Sequence, residues 1–204
     1  MIVTQIEQLS KNRCKVYIDQ EFAFVLYKGE LFQYGISLNK EILWKDFEEI
    51  IQVLLPKRAK LRAMNLLQKR TYTEKQLRDK LTEGFYSDEI IQKAIDYVKS
   101  FHYINDFQYA LDYLSYHAEN KSLKQIEQEL YRKGIRKDIY MQALAEWEAS
   151  GEQHDVQKMI LKCLEKKHYH KECDIREKQK IYAFLLRKGY NAEDISQAMQ
   201  LESF

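Results

Sequence analysis

The stretch "CLEKKHYHKEC" gathers the soft ligands Cys163, His168, His170 and Cys173 within eleven positions, and His154 lies a short way upstream. Thiolate and imidazole groups are what a zinc ion draws into a tetrahedron, so a metal centre is the first chemistry to weigh. The spacing C-x4-H-x-H-x2-C departs from the common zinc modules, and Cys163 falls on an apolar helical stripe where a free cysteine ordinarily packs. No bound metal is expected. No two glycines stand close enough for a dinucleotide or triphosphate loop, and neither H-E-x-x-H nor G-x-S-x-G occurs. The expectation is a protein that is not an enzyme and that needs no cofactor.

Binding chemistry is better represented. Basic residues cluster in "KRAKLR" with Arg58 and Arg62, continue through Lys69, Arg70, Arg78 and Lys80, and return at Lys124, Arg132, Lys133 and Arg136. Projected from successive helices, they would form a stripe able to follow a phosphate backbone or an acidic protein groove; a merely solvated surface is the plainer reading. Net charge alternates along the chain: −2 over 1–56, +4 over 57–106, −3 over 107–155 and +3 over 156–204. Tyr109, Tyr113 and Tyr116 recur at helical spacing and could stack on bases, but a large apolar body with a polar tip suits packing between helices better.

These side chains need elements to hold them. With six glycines and one proline in 204 residues, 31% charged and 45% apolar, the chain suits amphipathic helices and not a turn-rich sandwich or barrel. No apolar run approaches a membrane span, the start lacks the pattern of a signal peptide, and three cysteines make no disulfide framework. A cytoplasmic protein is expected. "IVTQIEQL", "CKVYID" and "FAFVLY" alternate as strands of a small meander, and a helix capped by Asp46 follows, stopping where Pro56 restricts Leu55. Pro56 is therefore the expected first boundary, closing an N-terminal segment 1–56.

From Lys57 onward one order of signals recurs. Capping pairs Thr73 with Gln76, Ser122 with Gln125, and Asp174 with Glu177 open helices that stop at Gly84, Gly134 and Gly189. Glycine just past a helix end adopts the left-handed conformation without strain, and the apolar residue after it (Phe85, Ile135, Tyr190) can fold back as a latch. New helices follow from candidate caps Ser87, Asp138 and Asn191, and a further helix precedes each capping pair. The expected fold is mainly α: three tandem three-helix repeats, 57–106, 107–155 and 156–204, in an elongated curved array behind a small β-rich extension.

The ordered elements resemble the RecX family of regulatory proteins. "RTYTEKQLRDKLTEGF" is similar to its R-x-x-S-x-x-E-L-x-x-K-L element, through Arg70, Thr73, Leu77, Lys80 and Leu81. "YINDFQYALDYL" is similar to L-D-D-x-x-Y-A, through Asp106, Tyr109 and Ala110. "SLKQIEQELYRKGI" is similar to R-I-x-x-E-L-x-x-K-G-I, through Ile126, Glu129, Leu130, Lys133, Gly134 and Ile135. Gln76, Asn105, Ser122 and Gln125 depart from the family pattern. The resemblance implies a monomer that lies in the helical groove of the RecA–DNA filament and inhibits its ATPase, strand-exchange and coprotease activities. It also implies a place in homologous recombination, DNA repair and the SOS response, with DNA touched inside the filament and bound weakly alone. A general DNA-binding helical protein without a RecA partner is the alternative.

Overall fold

A computed structural model describes residues 1–151 and 154–201; positions 152–153 and 202–204, which the predicted second and third repeats include, lie outside the described residues. The chain divides into two compact units, Met1–Ile104 and Asn105–Phe204.

The first unit opens with β1 (Val3–Gln8), β2 (Arg13–Ile18) and β3 (Glu21–Tyr27), antiparallel in the order β1-β2-β3. Alternation along β2 buries Cys14, Val16 and Ile18 on one face. Asp19 and Gln20 link β2 to β3 with φ of 49° and 75°, the pair of positive values that a two-residue hairpin turn requires. The Asp19 carboxylate helps hold that turn by accepting the Ile2 N–H at 2.9 Å.

A short helix α1 (Lys28–Gln33) leads to α2 (Trp44–Glu49), a π-helical turn at Ile50–Leu54, and α3 (Leu55–Leu67). The break expected at Pro56 does not occur. Proline brings no N–H and its ring crowds the carbonyl one turn back; the widened turn, in which the Leu55 N–H reaches the Ile50 carbonyl, takes up both defects. The helix also begins before Asp46, with Leu43 as its cap.

With α4 (Glu74–Thr82) and α5 (Asp88–Ser100), α3 completes a three-helix repeat. Its Leu77, Leu81, Ile91 and Ile95 share one continuous core with Val16, Phe24 and Leu26 of the sheet. Arg13 donates from Nη2 to the Gly84 carbonyl at 3.1 Å, a further tie from sheet to repeat.

The second unit contains α6 (Asp106–His117), α7 (Leu123–Arg132) and α8 (Lys137–Ala149), then α9 (Val156–Lys166), α10 (Ile175–Arg187) and α11 (Ala192–Leu201). Each triplet has its own core. Leu114, Ile126, Leu130, Ile135 and Trp147 build the first; Ile160, Leu164, Leu185, Tyr190 and Ile195 build the second.

The capping pairs differ in detail. Thr73 and Gln76 satisfy each other's backbone N–H reciprocally, Ser122 accepts from the Gln125 N–H, and Asn191 accepts from the Asp194 N–H. Asp174 and Ser87 occupy cap positions without a side-chain bond, and Asp138 is already inside α8, where it pairs with the cap residue Arg136.

The glycine stops hold in two of the three repeats. Gly134 and Gly189 have φ of 95° and 91°, and the Ile135 and Tyr190 N–H groups reach back to Leu130 and Leu185 at 3.0 and 3.3 Å. In the first repeat the left-handed residue is Phe85, φ 65°, and Tyr86 packs on the core as the latch. The reason is one residue of spacing: Gly134 and Gly189 stand four positions past Leu130 and Leu185, and Gly84 only three past Leu81. Gly84 is glycine for room, since a Cβ there would stand 2.7 Å from the Tyr86 ring and 2.9 Å from the Leu81 carbonyl oxygen.

Gly189 carries both constraints. A Cβ would meet Ser122 Oγ at 2.8 Å and Lys124 Cβ at 3.0 Å, because the Ser122 hydroxyl donates to the Lys188 carbonyl at 2.5 Å. Gly189→Ala should therefore lower stability in urea unfolding by at least ~1–2 kcal/mol, the cost of a left-handed alanine alone. A variant within ~0.5 kcal/mol of the parent would contradict this packing.

Candidate binding surface

The basic residues singled out by sequence separate into those with partners inside the fold and those that face solvent without an ion pair among the described residues. Arg58, on α3, reaches the Glu30 carboxylate at 3.1 Å and the Val25 carbonyl at 3.0 Å, and its guanidinium lies 5.0 Å from the Tyr27 ring centre. The pair is largely buried, so Arg58 fastens α3 to β3 and α1. Arg62 donates to the Lys80 carbonyl at 3.3 Å, near the end of α4 where carbonyls lack helical partners. Arg78 pairs with Glu74 at 2.9 Å and also meets Gln92; Lys80 pairs with Glu83 at 2.8 Å. These four are engaged inside the first unit. Lys69 and Arg70 are exposed just beyond α3, Arg70 resting 4.3 Å from the Tyr72 ring centre.

In the second unit Arg136 is held by Asp138, and Lys133 lies over the rings of Tyr109 and Tyr113 at 6.0 and 5.5 Å. Those rings stack on each other at 6.3 Å and pack on the core, which accounts for two of the three tyrosines in the row; Tyr116 is exposed. The Glu129 carboxylate accepts from Lys121 at 2.6 Å and from the Tyr113 hydroxyl. Burial alone would raise Glu129, but the Lys121 ammonium and Tyr113 hydroxyl overcome it and hold the carboxyl below the usual range. Burial, then the Glu129 carboxylate, pushes the Tyr113 hydroxyl well up. Burial, then the Lys121 charge, lowers His117, whose ring centre is 4.2 Å from that of Tyr113. Glu129 is thus committed to the inner side of α7.

Lys124 and Arg132 remain on the outer side of α7. With Lys137 they rim an open groove of about 620 Å³ between α7 and α8, floored by the buried Ile135 and Tyr140 and flanked by Tyr131, which is 73% exposed. Tyr140 donates to the Leu123 carbonyl at 3.2 Å, and burial followed by the charges of Glu127 and Glu148 pushes its hydroxyl up to about 12. Among the described residues, Glu127 is the one carboxylate lining the groove. Lys124, Arg132 and Lys137 make no ion pair among the described residues.

A second basic face lies outside the residues singled out by sequence. Arg176, Lys180 and Arg187 line a shallow hollow of about 370 Å³ along α10. A signal for them exists in the sequence, because i, i+4 and i+11 fall on one side of a helix. The two faces approach at the Gly189 joint. Ser122, capping α7, donates to Lys188 at the end of α10, and the Lys124 stem lies against Gly189, two residues from Arg187.

The cysteine and histidine cluster divides between α9, which carries Cys163, and the connection after it, where the His170 N–H donates to Cys173 Sγ at 3.3 Å. Cys163 packs at the third repeat's core with Lys188 Nζ 3.7 Å away, while His170 and Cys173 lie in the connection between α9 and α10. Among the described residues, no group of three or more His, Cys, Asp and Glu side chains is placed to hold a metal ion.

Family models of the first and third three-helix domains of RecX match residues 59–97 and 155–199. The chain is 31% identical to the regulatory protein RecX of Caldanaerobacter subterraneus subsp. tengcongensis, over 98% of this chain and 100% of that one. It is 30% identical to the regulatory protein RecX of Clostridium perfringens, over 92% and 88%. A crystal structure of a regulatory protein RecX covers 98% of both chains with a TM-score of 0.63 at 23% identity. That of RecX from Lactobacillus salivarius covers 72% of this chain and 95% of its own with a TM-score of 0.57 at 24% identity, so both establish likeness of fold.

Side-chain placement separates the basic residues experimentally. Arg58→Ala should cost roughly 2–3 kcal/mol, because it takes the cation from the largely buried Glu30 carboxylate and a donor from the Val25 carbonyl, whereas Arg132→Ala should stay within ~0.5 kcal/mol. Chemical denaturation measures both, and equal effects would contradict the division.

Proposed function

Because this chain belongs to the RecX family of regulatory proteins, we propose that it regulates the RecA recombinase by binding the RecA–DNA filament in its helical groove. It inhibits the filament's ATPase, strand-exchange and coprotease activities, acts as a monomer in the cytoplasm, and performs no catalysis of its own. Binding is shared among the repeats 57–106, 107–155 and 156–204.

The observation that carries this reading is the concentration of available cations on the outer faces of α7–α8 and α10. A nucleoprotein filament offers acidic protein surface and phosphate together, and a groove with an apolar floor and a basic rim can engage the first while neighbouring cations face the second. Among the residues singled out by sequence, Lys124 and Arg132 are the principal contacts, joined by Lys137, Arg176, Lys180 and Arg187. Lys69 and Arg70 add exposed charge in the first unit. No helix among the described residues is long and apolar enough to cross a membrane, which accords with a partner met in solution.

RecA's single-strand-dependent ATPase, titrated with this protein, should fall at substoichiometric amounts. A Lys124→Glu, Arg132→Glu, Lys137→Glu variant with an unchanged thermal melt should need roughly tenfold more protein, about 1.4 kcal/mol of lost binding. Undiminished inhibition by the folded variant would remove the α7–α8 face from the contact. A wild-type chain that leaves the ATPase untouched but binds naked DNA tightly would favour the general DNA-binding reading.

A further inference from the structure

An ordered aromatic group at the end of α5 takes no part in the basic faces of the second unit. Phe101 and Tyr103 are each 53% exposed, their rings 5.8 Å apart and 17° from parallel. Phe101 also meets Tyr97 edge-on at 5.1 Å, and Lys60 Nζ stands 4.9 Å from the centre of the Tyr97 ring. The arrangement is built into the backbone. His102, between the two exposed rings, has φ 56°, and the turn is closed by the His102 N–H on Lys99 at 2.8 Å and the Tyr103 N–H on Val98 at 3.0 Å. The reversal at His102 turns both rings to one side.

Tyr103 also walls a hollow of about 240 Å³ whose other sides are Met64 and Leu67 of α3 and Gln68, which caps its end. Lys57 and Lys60 precede Met64 and Leu67 at helical spacing, so the face of α3 that borders the aromatics begins with two cations. Neither ring is among the buried residues of the first unit's core. Ile104, the next residue, is the one that enters it.

We propose that Phe101 and Tyr103 form a stacking platform for the unpaired bases of a single-stranded nucleic acid, with Lys57 and Lys60 facing its phosphates. Two flat exposed rings in near-parallel register match the faces of bases, which a single strand presents and a duplex hides between its own pairs. Cations beside the rings supply the backbone attraction that such sites combine with stacking. This deepens the filament reading, in which a single strand is at hand, and rests on it only for the source of that strand.

The test is fluorescence anisotropy of a short labelled oligothymidine and an abasic strand of equal length, without RecA. The wild-type chain should bind the base-bearing strand roughly tenfold more tightly than the abasic one. Phe101→Ala with Tyr103→Ala should erase that preference and leave abasic binding unchanged. Lys60→Gln should weaken both strands alike and reduce the salt slope by about 0.7. A wild-type chain without the preference, or a double variant that keeps it, would overturn the platform. Because RecA is absent, neither result alters the ATPase test, and failure of RecA inhibition leaves the strand comparison intact.

Discussion

The left-handed residue that ends the middle helix of each repeat is the constraint on which the rest depends. It reverses the chain so that the next apolar side chain packs on the core, as Tyr86 does, or enters it, as Ile135 and Tyr190 do, and sets the direction of the third helix. Two repeats place glycine there. The first places Phe85, whose exposed ring gains contacts with Phe22, 6.3 Å away, and Lys15, 4.8 Å away, against a backbone cost of about 1–2 kcal/mol. The turn at Gly189 also admits the capped start of α7, and so joins the second and third repeats end to end through Ser122 and Lys188.

That joint fixes where charge can be offered. The outer sides of α7 and α10 carry cations without acidic partners among the described residues, while the inner side of α7 commits its carboxylate Glu129 to Lys121 and Tyr113. The first unit uses its arginines differently. Its repeat must hold a sheet as well as itself, and Arg13, Arg58 and Arg62 satisfy carbonyls and a carboxylate between those elements. Net charge per segment therefore counts arginines, Arg58 and Arg62, that already have partners inside the first unit.

Helical periodicity, caps and the repeat order are legible in the sequence because each is local: Thr73 with Gln76 and the apolar stripes need only neighbours a turn away. The strand meander is legible from period-two alternation in β2. What sequence leaves unresolved depends on spacing or on distant partners. Gly84 reads as a stop because it is glycine, although counting from Leu81 puts Phe85 in that role. Pro56 reads as a break because a compensating π turn leaves no residue signature. Arg58 is indistinguishable from Arg132 in sequence, since its partners Glu30 and Val25 lie 28 and 33 residues away. The α10 face emerges only when basic spacing is followed into the third repeat, where Arg176, Lys180 and Arg187 carry it.

The central claim is that the outer faces of α7–α8 and α10 meet the filament. Amide hydrogen exchange of this chain, with and without RecA assembled on single-stranded DNA, addresses it directly. Exchange in Leu123–Arg132, Lys137–Ala149 and Ile175–Arg187 should slow when the filament is present. Protection confined to the β1–β3 sheet, with those three helices unchanged, would contradict the claim.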